Sequence, residues 1–74
     1  METTRSLDKF RCLFGNQEIE LVEVKYDSGG MPLLRVRIRE RGARFTIFEI
    51  DRESAARWGK GMLDWSQSQS SPEP

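Results

Sequence analysis

Apolar and polar residues alternate along four separate stretches of the first fifty residues, and in a fifth stretch apolar residues recur every three or four positions. A period of two is typical of β-strands, whereas the longer spacing is typical of an amphipathic helix. Clusters of glycine, asparagine, aspartate and proline separate the stretches and indicate turns. The pattern predicts four strands and then a helix, at residues 7–14, 17–26, 33–40, 43–50 and 52–67.

The order of these elements predicts an α+β fold in which a four-stranded antiparallel meander sheet precedes one C-terminal helix that packs on one sheet face (β-β-β-β-α). Alternate residues of the third strand separate an apolar face from an arginine face. A three-residue turn keeps this parity in the fourth strand and places Phe45 and Ile47 on the arginine face. The expected core comprises Phe10, Cys12, Phe14, Ile19, Val22, Val24, Leu34, Val36, Ile38, Phe48, Ile50, Trp58, Met62 and Trp65.

The first two strands are predicted to join through a tight hairpin. Gly15 and Asn16 tolerate the positive φ angles that a two-residue turn requires. Such a turn would pair Phe10 with Leu21 on the neighbouring strand.

The second strand changes phase in its middle. Ile19 and Leu21 are odd-numbered, whereas Val22, Val24 and Tyr26 are even-numbered, so strict alternation would place the two sets on opposite faces. A β-bulge near Leu21 and Val22 would bring Ile19 and the even-numbered set onto one face. The alternative is a strand that is apolar on both faces for two residues.

The helix has a clear start and a weak middle. Asp51 is a good N-cap residue. Gly59 and Gly61 each weaken the helix by roughly 0.8–1.0 kcal/mol relative to alanine. Two interpretations stay open: a locally weak or kinked helix, or a Gly59 that lets the face beside Trp58 approach the sheet or a second helix closely.

Chain length favours association with a partner. A single domain at residues 7–66 is predicted, between a flexible segment at 1–6 and a disordered polar tail at 67–74. A domain this small buries only roughly 60% of its unfolded surface and is usually supported by disulfides, a metal or a partner subunit. One cysteine and no histidine leave no intramolecular disulfide and no common metal site, so a partner subunit is the remaining support and we expect a homodimer. The candidate self-association residues are Trp58, Gly59, Met62 and Trp65.

Composition excludes several classes of function. Twelve basic and twelve acidic residues give zero net charge, which disfavours wholesale polyanion binding. Without histidine and with only Cys12, the common zinc sites and Cys-His or Ser-His catalysis are absent, and we predict no catalytic residue, no metal and no cofactor. Each carboxylate has a simpler role in a cap, strand or loop, so the protein is not expected to be an enzyme. An unpaired cysteine and the lack of an apolar leader or membrane-length segment predict a cytoplasmic protein that does not bind membranes.

Charge is concentrated in one stretch. Residues 35–44 carry five arginines and one glutamate, a local net charge of +4. Arginines with an interleaved aromatic ring on a sheet face can bind single-stranded nucleic acid, and the same charge could receive an acidic protein partner. Alternatively, Glu18, Glu20 and Glu23 neutralise this face as cross-strand partners. The candidate residues are Arg35, Arg37, Arg39, Arg41, Arg44 and Phe45.

Two resemblances extend this interpretation. The segment FEIDRESAARWGKGMLDW resembles small uncharacterised bacterial proteins, which have a Phe-x-Ile-Asp junction before a helix with two tryptophans and no known activity. The order of elements is also similar to that of the positive cofactor 4 and Whirly group. That topological similarity implies dimerisation through the helices, with a junction at Ile50, Asp51 and Trp58. It also implies single-stranded DNA binding along the sheet, at positions corresponding to Arg35, Arg37, Arg39 and Phe45, although this chain lacks the group's lysine-rich segment.

The sequence therefore predicts a non-enzymatic binding or interaction module that acts as a homodimer. Single-stranded nucleic-acid binding through the arginine face is the alternative.

Overall fold

The computed structural model describes residues 1–69 and confirms the α+β fold. The sheet is antiparallel and open, with its strands in the order β1-β2-β3-β4. Its strands and the helix are β1 (Glu2–Arg11), β2 (Glu18–Tyr26), β3 (Leu33–Glu40), β4 (Arg44–Ile50) and α1 (Arg52–Ser68), with a short 3₁₀ turn at Arg41–Ala43.

The hairpin between β1 and β2 is longer than predicted. Gly15 and Asn16 do adopt positive φ angles of 81° and 62°. However, the Cys12 N–H donates to the Gln17 carbonyl over 2.8 Å, so the connection spans six residues rather than two. Phe10 consequently pairs with Ile19, and the predicted Phe10–Leu21 pairing is wrong.

β1 begins five residues earlier than predicted. Residues 2–6 pair with residues 22–26 of β2, so the expectation of a flexible segment at 1–6 is wrong for this part. Residues 2–6 are polar on both faces of the sheet, so this part of the strand shows no alternation of hydrophobic and polar residues. Backbone pairing with β2 and an ion pair from Arg5 to Glu23, 3.0 Å, hold it in place.

The phase change in β2 is accompanied by a bulge in the neighbouring strand β1. The register of β1 shifts between Ser6 and Asp8, opposite Val22 and Leu21, which makes Leu7 the extra residue. β2 itself stays regular against β3. A bulge in β2 would disrupt two ladders, because that strand is paired on both sides, whereas the edge strand loses only one. Val22 and Val24 therefore lie on the arginine face, and the predicted bulge in β2 is wrong.

The third and fourth strands follow the prediction. Val36 pairs with Phe48 and Arg37 with Ile47, which confirms the apolar and arginine faces of β3 and β4. Gly42 adopts a φ of 74° in the turn between them, a conformation that glycine reaches without strain.

The helix starts where Asp51 caps it. The Asp51 carboxylate accepts hydrogen bonds from the Ser54 N–H (3.0 Å) and the Ser54 hydroxyl (2.6 Å). These bonds hold the pKa of Asp51 below its ordinary value. Because α1 continues to Ser68, the predicted disordered tail at 67–74 is wrong for its first two residues, and residues 70–74 lie outside the described part.

Very little of this fold is buried. Among residues 1–69, only Val24 and Val36 are buried hydrophobic residues, with 0% and 2% of their surface exposed. The helix has no buried residue and reaches the sheet near its start, where the Trp58 and Phe48 rings lie 5.8 Å apart. The radius of gyration is 15.0 Å, against roughly 11 Å for a compact chain of this length.

Much of the predicted core is therefore exposed. A single sheet layer with one helix, which contacts the sheet mainly at β3, cannot enclose both sides of its apolar residues. The predicted core residues that remain exposed are Phe10, Phe14, Phe48, Trp58, Met62 and Trp65.

Candidate functional site

One side of the helix forms an apolar groove of about 760 Å³. The spacing of Trp58, Met62 and Trp65 places these side chains on one side of α1. They are 44%, 52% and 67% exposed, which is unusual for residues of this size. The helix groove, as we call it, is lined by Ser54, Arg57, Trp58, Gly61, Met62, Trp65 and Ser66.

The two helix glycines differ in position. Gly61 lines the groove, whereas Gly59, the glycine predicted for self-association, does not. A Cβ atom built at either glycine meets no other atom within 4 Å. The interpretation that Gly59 lets the helix approach the sheet closely is therefore wrong. The spacing of Gly61, three residues after Trp58 and four before Trp65, is the signal that could have found it.

The helix groove is continuous with the apolar sheet face. Trp58 lines the groove and also contacts Phe48 on the sheet. Phe10 lies on the same sheet face and is about half exposed. At the start of the helix, Leu7 and Met31 help to line a second hollow of about 340 Å³. Neither residue was predicted from the sequence, because Leu7 is the bulge residue and Met31 lies in a loop.

The arginine face is largely neutralised by carboxylates. Arg37 lies 3.5 Å from Glu20, and Arg39 lies 4.0 Å from Glu18. Glu23 pairs with Arg5 on the opposite face, so the prediction that Glu23 helps to neutralise the arginine face is wrong. By register, this face carries five cations and four carboxylates: Lys9, Arg11, Arg35, Arg37 and Arg39, with Glu2, Glu18, Glu20 and Glu49.

The remaining predicted residues of this face are divided. The Arg37 guanidinium lies 4.7 Å from the centre of the Phe45 ring. Arg41 lies in the turn at the end of the sheet, beside Arg39. Arg44 pairs with Glu40 and has the parity of Thr46, so the register places it on the apolar face. The prediction that Arg44 belongs to the arginine face is wrong.

A polar network ties all four strands together at the other end of the arginine face. The Arg35 guanidinium donates to one Glu49 oxygen over 2.7 and 2.9 Å, and to Glu2 over 3.2 Å. The Tyr26 hydroxyl donates to Glu49 over 2.7 Å. Because its Nε and Nη2 groups are engaged in this way, Arg35 has a structural role. The parity of β4 could have located Glu49, but its partners required the full sheet register.

The network shifts the pKa values of its members. The hydrogen bond to Glu49 raises the pKa of Tyr26 above its ordinary value of 10.0. Hydrogen bonds from Tyr26 and Arg35 lower the pKa of Glu49, and the same carboxylate raises the pKa of Arg35.

Spectrophotometric titration of tyrosinate checks this network, since Tyr26 is the only tyrosine. We expect a Tyr26 pKa above 10.0 in the folded protein and a lower value in Glu49→Gln, which lacks the carboxylate that accepts its proton. The bond therefore stabilises the fold below pH 10.0 and is lost as the pH rises through the folded-state pKa. Glu53→Gln in the first helix turn is the matched control. An unchanged pKa in Glu49→Gln would contradict the network.

Within residues 1–69, no group of three or more histidine, cysteine, aspartate or glutamate side chains could hold a metal ion. Cys12 is a free, partly buried thiol. None of the described helices is long and apolar enough to cross a membrane.

Fold and surfaces together define a small α+β protein with an open antiparallel sheet and an exposed apolar helix. The chain belongs to a family described as a family of unknown function (DUF6967), whose model matches residues 1–68. No curated protein and no solved structure matches the chain significantly.

Proposed function

We propose that this protein is a non-enzymatic interaction module of the cytoplasm that acts as a homodimer, joined through the helix groove and the adjoining apolar sheet face. The observation that carries the proposal is the exposure of Trp58, Met62 and Trp65 beside a core of two buried valines. The free thiol of Cys12 fits a reducing compartment.

The exposed area fits an obligate dimer. The chain exposes 6204 Å², whereas a compact monomer of 8.6 kDa exposes roughly 4,700 Å². The excess of roughly 1,500 Å² per chain is comparable to what each subunit buries in an obligate homodimer, about 1,000–2,500 Å². A second copy is thus large enough to cover the surface that this fold leaves open.

Charge does not oppose association between copies. The formal net charge is zero, so two chains do not repel each other as whole bodies. Arg57 is the only charged residue among the described residues that line the helix groove, and the other lining residues are apolar, small or hydroxyl-bearing.

The alternative, single-stranded nucleic-acid binding by the arginine face, has weaker support. Exposed Phe45 beneath Arg37 would offer one stacking ring. However, Glu18 and Glu20 compete for Arg39 and Arg37, and the face as a whole is close to neutral. Strong binding to a phosphate backbone depends on unneutralised cations.

Thermal unfolding at several protein concentrations tests the homodimer. When a dimer unfolds to separate chains, its unfolding midpoint rises with protein concentration by mass action. We expect such a rise, followed by circular dichroism over about a hundredfold range of concentration. A midpoint that does not depend on concentration would contradict the proposal.

A further inference from the structure

We propose that Gly61 forms a notch that receives the Met62 side chain of a second copy, in an antiparallel packing of the two helices about a two-fold axis. This inference rests on the proposed homodimer and assigns its central contact. It names one occupant for the helix groove, the same groove of another chain.

The glycine itself is the first evidence. Glycine inside a helix is destabilising by roughly 0.8–1.0 kcal/mol relative to alanine. A Cβ atom at Gly61 would meet nothing within 4 Å in its own chain, so no intramolecular packing requires a glycine there. The position nevertheless opens onto the groove, between two exposed tryptophans. A contact from outside the chain supplies the missing reason.

The order of residues along the groove is the second evidence. Trp58 and Trp65 lie about 10 Å apart along the helix axis, at a rise of 1.5 Å per residue. A two-fold axis between Gly61 and Met62 places Trp58 opposite the partner's Trp65 and Gly61 opposite the partner's Met62. Large side chains then face a large ring or an empty notch, and the surface becomes complementary to itself, as a two-fold interface requires.

Two polar residues that line the groove, Arg57 and Ser66, also fit this two-fold axis. Arg57 falls opposite the partner's Ser66, so the arginine faces a hydroxyl group rather than another cation. The contact of Trp58 with Phe48 holds the Trp58 end of the groove against the sheet.

Paired glycine substitutions test the notch. Gly61→Leu and Gly59→Leu remove the same helix penalty, but only Gly61→Leu fills the proposed notch. We expect Gly61→Leu to raise the dimer dissociation constant at least tenfold, and Gly59→Leu to leave it within about twofold. Adding Met62→Ala to Gly61→Leu shortens the opposing side chain and should recover part of the loss. Sedimentation equilibrium measures each constant, and circular dichroism at concentrations where each variant is dimeric confirms that the helix is retained.

Each outcome separates the notch from the dimer itself. A dimeric wild type with equal constants in both leucine variants would overturn the notch and leave the homodimer standing. If leucine prevents folding, Gly61→Ala and Gly59→Ala replace the leucine variants, because alanine favours the helix. Their dissociation constants are then compared in the same way. A monomeric wild type would overturn the proposed function together with the notch.

Discussion

Met62→Glu is expected to convert the dimer into monomers. Met62 lies at the centre of the helix groove, where a second chain would enclose the new carboxylate without a partner. Because burying an unpaired charge is costly, we expect the dissociation constant to rise by at least about 100-fold, which corresponds to about 2.8 kcal/mol. Size-exclusion chromatography with light scattering measures the change.

Leu63→Glu is the matched control for Met62→Glu. Leu63 is the next residue and is exposed to a similar extent, but it does not line the groove. The two substitutions add the same charge to the same turn of helix, so only the position differs. Equal effects of both variants, or a Met62→Glu protein that stays dimeric, would contradict the groove as the interface.

Val24→Asp is expected to unfold the protein. Val24 is fully buried, and together with Val36 it makes up the buried core of the described residues. An aspartate at this position must bury an unpaired polar group, a change that belongs to the most destabilising substitutions, above about 4 kcal/mol. Small domains have little more stability than this in total. Far-ultraviolet circular dichroism should therefore show loss of the native spectrum at room temperature.

Thr4→Asp controls for the chemistry of the new side chain. Thr4 lies directly opposite Val24 in β1 but is exposed. We expect its aspartate variant to stay folded, because its carboxylate remains in water. A folded Val24→Asp protein of wild-type stability would show that Val24 is not part of the buried core.

Local patterns predicted the elements that bury one face. The apolar residues of β3 and β4 alternate, and a short turn joins these strands, so parity alone placed Val36 with Phe48 and Arg37 with Ile47. The first half of β1 was missed because its residues are polar on both faces and it pairs at the edge of the sheet. The bulge was placed near the right point of the ladder but in the wrong strand, since sequence alone does not show which strand is the central one.

How much of the apolar helix face the sheet covers could not be predicted from the amphipathic pattern of the helix. That pattern identified Trp58, Met62 and Trp65 as one face, and the structure keeps them together. It did not show that the sheet covers this face only near Trp58. The choice between Gly59 and Gly61 likewise depended on the direction from which the helix meets the sheet.

The arginine face was predicted in its parity but not in its charge balance. Glu18 and Glu20 were correctly expected as partners, because they lie on the adjacent strand. The bond from Tyr26 to Glu49 joins strands that are not neighbours. Such contacts depend on the twist and side-chain reach of the folded sheet, which spacing along the chain does not encode.

The most direct test of the homodimer is the molecular mass in solution. Sedimentation equilibrium from about 1 to 100 μM covers the range in which a moderately stable dimer dissociates. We predict a mass of twice 8.6 kDa at the upper concentrations, with unfolding or loss of helix as the dimer dissociates. A folded protein with a mass of 8.6 kDa at every concentration would contradict the account.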